Sequence, residues 1–182
     1  NVIRDFWLAV QFIKNAQKTQ LEKAAIPVVP FALNNYSASE PTEFSFVYTL
    51  DGIKYWYSFA ATKEKVYSES LYHAPKKQKS LIFARDGQSF SFTESKARRK
   101  LISQVVAENQ LFFSVACTMN DEDCSRAMTW FRKKVYFSRD YSDIPRQLLE
   151  YSNDSNMLRA ISDYAKAADV GIEDMKFEIN SK

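Results

Sequence analysis

Residues 43–61, EFSFVYTLDGIKYWYSFAA, decide the fold, because two runs of alternating apolar residues flank the pair Asp51-Gly52. The commonest two-residue hairpin turn needs positive φ at both central positions, and Asp-Gly is a favoured pair for it. Trp56 falls on the face opposite Tyr55 and Tyr57. The stretch therefore predicts a β-hairpin with an apolar face, formed by Phe44, Phe46, Tyr48, Leu50, Ile53, Tyr55, Tyr57 and Phe59.

The alternating pattern continues beyond this hairpin. Residues 65–74, KVYSESLYHA, predict a third strand, and residues 80–92, SLIFARDGQSFSF, predict a second hairpin that turns at Asp86-Gly87. The middle of the chain is thus expected to be an antiparallel meander of about five strands. Pro27 and Pro30 exclude a helix from residues 26–33, which suit an extended segment or an edge strand.

The periodicity on both sides of the meander is helical. Residues 2–20 have the spacing of an amphipathic helix, and the pattern after Phe92 predicts further helices. These are residues 93–109, with Thr93 and Ser95 as caps, residues 120–135, residues 143–152, and a helix from Asp154 or Ser155 to Gly171, while residues 111–120 fit a helix or a strand and residues 172–179 a final strand. We expect an α+β fold, with a first part over residues 1–92 and a helical insertion over residues 93–182 in one compact unit.

The composition excludes several classes of protein. Only three glycines are present, Gly52, Gly87 and Gly171, and no two are close, so this chain holds no complete phosphate loop and no dinucleotide-binding turn. No apolar run approaches the ~20 residues that span a bilayer. Cys117 and Cys124 form no CxxC pair, and we interpret them as reduced thiols of a cytoplasmic protein.

Metal sites are not predicted. His73 is the only histidine and has no second histidine or cysteine at ligand spacing, so a surface or turn position explains it better. Asp121, Glu122 and Asp123 stand at a helix start, where the helix dipole accounts for acidic residues. Three adjacent acids in that place are not expected to converge on one point, so a divalent cation is not expected there.

Two groups of basic residues raise a nucleic-acid hypothesis. One is Lys76, Lys77 and Lys79, and the other is Lys96, Arg98, Arg99 and Lys100. Beside aromatic strands, such residues suit a stand-alone module that grips nucleic acid, with bases stacking on tyrosine or tryptophan. The alternative is that the lysines belong to a solvated loop and the arginines to a solvated helix face. The net charge of +3 permits the first interpretation without arguing for it.

Several short motifs, in order, resemble one family. They are Tyr55 with Tyr57, Glu69 with Leu71, Phe83 with Arg85, Asn109 with Leu111, Phe112 and Ser114, and a last motif that runs from Ala168 and Asp169 to Gly171, Ile172 and Asp174. Together with the opening NVIRDFWLAVQFI, their order and spacing resemble the bacterial AAA-type ATP/GTP phosphatase family. That family is related to the ABC-type ATPases of the SMC, RecF and OLD kind. The resemblance covers almost the whole chain.

The resemblance implies a role in nucleoside triphosphate hydrolysis by a longer parent protein. The phosphate loop (Walker A) is expected just upstream of Asn1, and the signature motif, the Walker B acids and the switch histidine beyond Lys182. Asn1 is then the implied nucleotide contact, near the α-phosphate. The parent would use ATP with Mg²⁺ as a dimer of P-loop NTPase heads, with a nuclease or toxin partner in phage defence. This chain alone is expected to be inactive, and no membrane partner is expected.

Overall fold

The computed structural model describes residues 2–19, 24–28, 40–136 and 154–167. The described chain divides into two compact units, residues 1–135 and residues 136–182. The elements of the first unit are α1 (Val2–Thr19), β1 (Thr42–Leu50), β2 (Ile53–Ala61), β3 (Val66–Ala74), β4 (Ser80–Asp86), β5 (Ser89–Phe92), α2 (Lys96–Ser103), α3 (Phe112–Thr118) and α4 (Glu122–Lys133). An N-terminal helix is thus followed by five strands and three further helices, which confirms the expected α+β class and element order in this unit.

The five strands form one antiparallel sheet in the order β1-β2-β3-β4-β5, as the alternating pattern predicted. The first turn is the predicted one, because Leu50 pairs with Ile53 and both Asp51 and Gly52 have positive φ, 50° and 77°. The sheet is therefore the expected meander, with each strand beside its neighbour in sequence.

The second hairpin turns one residue later than predicted. Asp86 pairs with Ser89, so Gly87 and Gln88 are the central residues of the turn, and of these two only Gly87 has a positive φ, 56°. When a two-residue hairpin turn needs a positive φ at its first central position only, glycine takes that position. Asp86 itself remains the last residue of β4.

One face of the sheet carries the core and is covered by helices. Tyr55, Tyr57 and Phe59 are at most 2% exposed. Phe12 of α1 meets Phe59 with ring centroids 6.0 Å apart, and Phe131 of α4 meets Tyr57 at 6.0 Å. The face predicted to be apolar is thus the buried one, because strand side chains alternate between the two faces.

The helices after the sheet differ in how they begin. Ser95 stands at the N-cap position of α2, as predicted, but its φ of 50° is left-handed and its side chain makes no capping bond. Residues 112–118, which fitted helix or strand, form α3. Asp121 caps α4 by accepting a hydrogen bond from the Cys124 N–H, and α4 has acids in its first turn and bases in its last, in accord with the helix dipole.

The first unit extends to Val135. The helices α2, α3 and α4 supply buried side chains to this unit, among them Ile102, Phe113 and Phe131. The second unit is described at α5 (Ser155–Ala167). Asp154, one of the two residues predicted to cap this helix, caps α5. Its carboxylate accepts hydrogen bonds from the N–H groups of Asn156 and Met157, at 3.0 and 3.1 Å.

Several expectations concern residues outside the described ranges. The short helix over residues 143–152, the helix stop at Gly171 and the final strand over residues 172–179 lie outside the described residues, as does most of the extended segment over residues 26–33. Among the described helices, none combines the length and the apolar composition that crossing a bilayer requires.

Candidate functional site

A buried carboxylate on β3 joins the sheet to α3. Glu69 is 2% exposed and accepts three hydrogen bonds: from the Tyr57 hydroxyl at 2.9 Å, the Phe112 N–H at 2.7 Å and the Phe113 N–H at 2.9 Å. The first N–H groups of a helix have no acceptor within the helix. Glu69 therefore caps α3 from the sheet. Burial raises its pKa, against the opposing effects of Arg85 and of these donors.

Arg85 of β4 lies beside this carboxylate, but its guanidinium donates its hydrogen bonds to backbone carbonyls. Its Nη1 is 3.8 Å from Glu69 Oε2, beyond hydrogen-bond distance. Nε donates to the Gly87 carbonyl at 2.7 Å, and the Nη atoms donate to carbonyls within residues 107–110. Burial lowers the pKa of the Arg85 guanidinium. Arg85 thus ties the second hairpin turn to the loop before α3. We name Tyr57, Glu69, Arg85, Phe112 and Phe113 the Glu69 junction.

Two further motif residues extend this junction toward the N-terminal helix. The Ser114 hydroxyl donates to the Ile13 carbonyl of α1 at 2.6 Å, and the Asn109 amide donates to the Ala24 carbonyl at 3.1 Å. The described motif residues that carry the family resemblance are therefore not scattered, and each is at most 6% exposed: Tyr55, Tyr57, Glu69, Leu71, Phe83, Arg85, Asn109, Leu111, Phe112 and Ser114. They hold the fold together and do not form a solvent-facing catalytic centre.

A second buried ion pair joins α2 to α4. Nε and Nη2 of Arg99 donate to the two carboxylate oxygens of Asp121 at 2.8 and 3.0 Å, and Nη2 also donates to Asp123 at 2.7 Å. Nη1 donates to the Ile82 and Glu94 carbonyls. Burial alone would raise the pKa of Asp121, but the hydrogen bonds that it accepts, first of all from Arg99, hold it below its ordinary value. We name Arg99, Asp121 and Asp123 the Arg99 site.

The Arg99 site corrects two expectations from the sequence. Arg99 was placed in an exposed basic patch, yet its side chain is 1% exposed and its donors are all directed at protein acceptors, so it cannot meet a phosphate. The acids at the start of α4 were expected not to converge, yet Asp121 and Asp123 both bind this guanidinium. The signal missed was the pairing of two charge clusters that lie 22 and 24 residues apart.

The other predicted nucleic-acid contacts lie on separate elements. Lys76 and Lys77 are exposed in the turn between β3 and β4, where Lys77 has a φ of 65°. Arg98 and Lys100 are exposed on α2, which packs against β5 and α3, and Arg98 donates to the carbonyls of residues 119 and 120. Asn1, the predicted nucleotide contact, lies outside the described residues.

Aromatic rings and lysines meet on the sheet face opposite the core. Trp56 pairs with Tyr72 across β2 and β3, so both rings stand on this face. Lys79 Nζ is 5.0 Å from the centroid of the Trp56 ring and 4.3 Å from that of Tyr72, and Lys54 Nζ is 5.2 Å from that of Trp56. We name Lys54, Trp56, Tyr72 and Lys79 the lysine–aromatic face. Strand parity placed Trp56 on this face, and the same parity could have found Lys54.

Two cysteines and one histidine are further reactive groups among the described residues. Cys117 and Cys124 are free and buried, and burial raises the pKa of Cys117 to about 12 and that of Cys124 well above its ordinary value. His73 stands opposite Tyr55 in the sheet, with ring centroids 6.3 Å apart. Within the described ranges, no group of three or more histidine, cysteine or acidic side chains could hold a metal ion.

Comparison with known proteins adds no name to this geometry. The chain matched no protein-family model, no curated protein and no solved structure. A function must therefore be argued from the residues, because the fold alone does not specify one.

Proposed function

We propose that this chain forms the first lobe of the ATP-hydrolysing head of a bacterial AAA/ABC-like ATPase. Hydrolysis of the nucleoside triphosphate is then an activity of the longer parent protein. The observation that carries the proposal is that the motif residues behind the family resemblance meet in one connected, buried set. Among them, Glu69, Arg85 and Ser114 make specific polar hydrogen bonds there.

Buried polar residues are a stronger sign of a shared fold than buried apolar ones. An apolar core position accepts many side chains of similar volume. A buried charge is costly unless particular partners are in place, so its position is tied to the backbone groups that it binds. These three residues bind the start of α3, the second hairpin turn and α1, which are the parts that a common framework has to keep in register.

The same contacts suit α1 to carry a phosphate loop. In the family that the chain resembles, the corresponding helix directly follows that loop, and its first N–H groups help to bind phosphate. Ser114 fixes the middle of α1 through the Ile13 carbonyl, and the Lys14 ammonium donates to the Val135 carbonyl at 3.1 Å. A helix held at its middle and on two sides gives a preceding loop a rigid base. Asn1 remains the proposed nucleotide contact.

The chemistry of phosphoryl transfer would come from the parent's other segments. Catalysis of that reaction rests on positioning and charge stabilisation by a loop lysine, Mg²⁺ and an acid. Gly52 and Gly87 both lie in hairpin turns, so neither belongs to a phosphate-binding loop. We therefore expect the 182-residue chain alone to bind ATP weakly and not to hydrolyse it. Head-to-head dimerisation, a nuclease or toxin partner in phage defence, and a cytoplasmic location belong to the same proposal.

The test is the coding sequence on both sides of this chain, followed by an assay of the encoded protein. We expect a glycine-rich loop ending in Gly-Lys-Ser immediately before Asn1 and Walker B acids after Lys182. We expect the longer protein to release phosphate from ATP only with Mg²⁺, and a variant with the loop lysine changed to alanine to lose that activity. Competition between ATP and GTP then shows which nucleotide the parent prefers.

Two results would contradict the proposal. One is an upstream sequence without a Gly-Lys-Ser loop. The other is steady phosphate release by the purified 182-residue chain, at a rate that survives repeated purification.

A further inference from the structure

We propose that the lysine–aromatic face binds single-stranded nucleic acid, with Trp56 and Tyr72 as stacking platforms for bases and Lys54 and Lys79 as phosphate contacts. This activity is independent of nucleotide hydrolysis. Its phosphate contacts are lysines of the sheet face and not the basic stretch of α2.

The two rings are placed as neighbours on one surface. Trp56 and Tyr72 are register partners on adjacent antiparallel strands, and such partners lie close enough for their side chains to interact. Both are half-buried, so each ring is supported by the sheet and keeps part of its surface in solvent. Val47, the register partner of Trp56 on β1, is 56% exposed and extends the apolar surface by one strand. Rigid, partly exposed rings side by side are a platform on which successive bases can stack.

On this face, the basic side chains are concentrated at one end of the strands. Lys54 pairs with Ala74 at the end of β3, and the turn that follows carries Lys76 and Lys77. One acid, Asp51, lies at this same end, in the first hairpin turn. The other acids on these strand faces, Glu43 and Asp86, pair with Ala60 and Ser68 at the opposite end of the sheet. The aromatic pair thus lies within a basic end, which is complementary to a phosphate backbone.

The lysines already occupy the positions that a base would take. An ammonium group over an exposed ring is held by a weak cation–π attraction, whereas a base stacked on the same ring is held more strongly. A base that stacks on Trp56 displaces Lys79, and the released ammonium can reach the phosphate next to that base. The exchange favours unpaired bases, because the bases of a duplex are stacked and paired inside the helix.

The basic stretch of α2 is the weaker candidate for the same ligand. Arg99 is buried, and Arg98 already donates to two backbone carbonyls. Lys96 and Lys100 remain, beside a groove lined by Phe90 and Phe92. They provide a control with the same change in charge as the two lysines of the sheet face.

The experiment is fluorescence anisotropy of the 182-residue chain with labelled oligothymidylate and oligouridylate of about 12 nucleotides, and with a duplex of the same length. We expect both single strands to bind more tightly than the duplex at low salt. Trp56→Ala should weaken binding by about tenfold or more, and Trp56→Phe should retain most of it, because one stacked base is lost in the first variant only.

Tyr67 offers a matched control for the ring. It is 39% exposed and has the Lys65 ammonium 4.8 Å from its centroid, but it lines a cavity together with Asp86 and Glu108. Tyr67→Ala therefore removes an exposed ring with a lysine over it from acidic surroundings. We expect this variant to bind as the unaltered chain does.

The charge variants complete the test. The pair Lys54→Gln with Lys79→Gln should reduce the slope of log affinity against log salt by about two, whereas Lys96→Gln with Lys100→Gln should leave it unchanged. The proposal is overturned by no binding at low salt, by equal affinity for the duplex, by an unchanged affinity in Trp56→Ala, or by a salt slope that falls only in the α2 variant. All these variants lie at exposed or half-buried positions, and circular dichroism checks that each is folded.

Discussion

Two buried sites in the first unit use the same residue types in different ways. In the Arg99 site, guanidinium and carboxylate meet directly, with two hydrogen bonds between Arg99 and Asp121. In the Glu69 junction, Arg85 and Glu69 are neighbours at 3.8 Å, and each makes its hydrogen bonds with other groups. Arg85 binds backbone carbonyls, and Glu69 binds a hydroxyl and two backbone N–H groups.

The difference shows what a buried charge can be used for. In the Arg99 site the two charges satisfy one another, and the product is a link between α2 and α4. In the Glu69 junction each charge satisfies backbone groups that regular structure leaves open, at a helix start and at a turn. Removal of one partner therefore has different consequences. Removal of Asp121 leaves the buried Arg99 guanidinium with Asp123 as its carboxylate partner, and removal of Glu69 leaves mainly neutral donors unpaired.

The largest expected effect is the loss of Asp121. We expect Asp121→Ala to lower the free energy of unfolding by about 3–5 kcal/mol, because the Arg99 guanidinium then stays buried without its bidentate partner. Asp123→Ala is the matched control, since Asp123 binds the same guanidinium but its side chain is 26% exposed. Urea unfolding followed by circular dichroism measures both. Equal losses in the two variants would show that burial of the Arg99–Asp121 pair does not determine how much it contributes to the free energy of unfolding.

Loss of the charge on Glu69 should cost less. We expect Glu69→Gln to destabilise the fold by about 1–3 kcal/mol, because the amide group of glutamine cannot accept from all three donors. Tyr57→Phe removes one of these donors and leaves the other two in place, so we expect about 1 kcal/mol or less. If Tyr57→Phe were the more damaging variant, packing of the ring rather than the carboxylate would dominate the junction.

The two sites should also respond to pH with opposite sign. The folded pKa of Asp121 is depressed, so its contribution to stability is present above the unfolded pKa and is lost as pH falls through the folded one. The folded pKa of Glu69 is raised by burial, so stability falls as pH rises from the unfolded value toward the folded one.

This contrast is measured as the difference in unfolding free energy between the unaltered chain and Asp121→Asn or Glu69→Gln, from about pH 3 to about pH 7. The unaltered chain should be more stable than Asp121→Asn by an amount that decreases as the pH falls. Its difference in unfolding free energy from Glu69→Gln should decrease as the pH rises toward neutral. The same sign for both variants would contradict the assigned environments.

The sequence predicts the sheet better than it predicts these sites. Asp51-Gly52 and strand parity are local signals, and they fix the first hairpin and its buried face. The second turn differed by one residue because glycine can take either central position of a tight turn. The role of Arg99 depends on Asp121, and that of Glu69 on Phe112, 43 residues further along the chain. No local pattern holds that information, since long-range packing brings the partners together.

The two cysteines can report the local opening of the two sites separately. Cys124 donates its N–H to Asp121, and Cys117 lies on α3, whose start Glu69 caps. Burial raises the pKa of both thiols, so in the folded chain at about pH 8 we expect slow alkylation that proceeds only through local opening.

Mass spectrometry of the peptides then gives a labelling rate for each thiol. Asp121→Asn should accelerate Cys124 more than Cys117, and Glu69→Gln should accelerate Cys117 more than Cys124. Equal acceleration of both thiols in either variant would mean that the whole unit opens at once. In that case the Arg99 site and the Glu69 junction would be parts of one cooperative structure, and their different hydrogen-bond patterns would not give them separate stabilities.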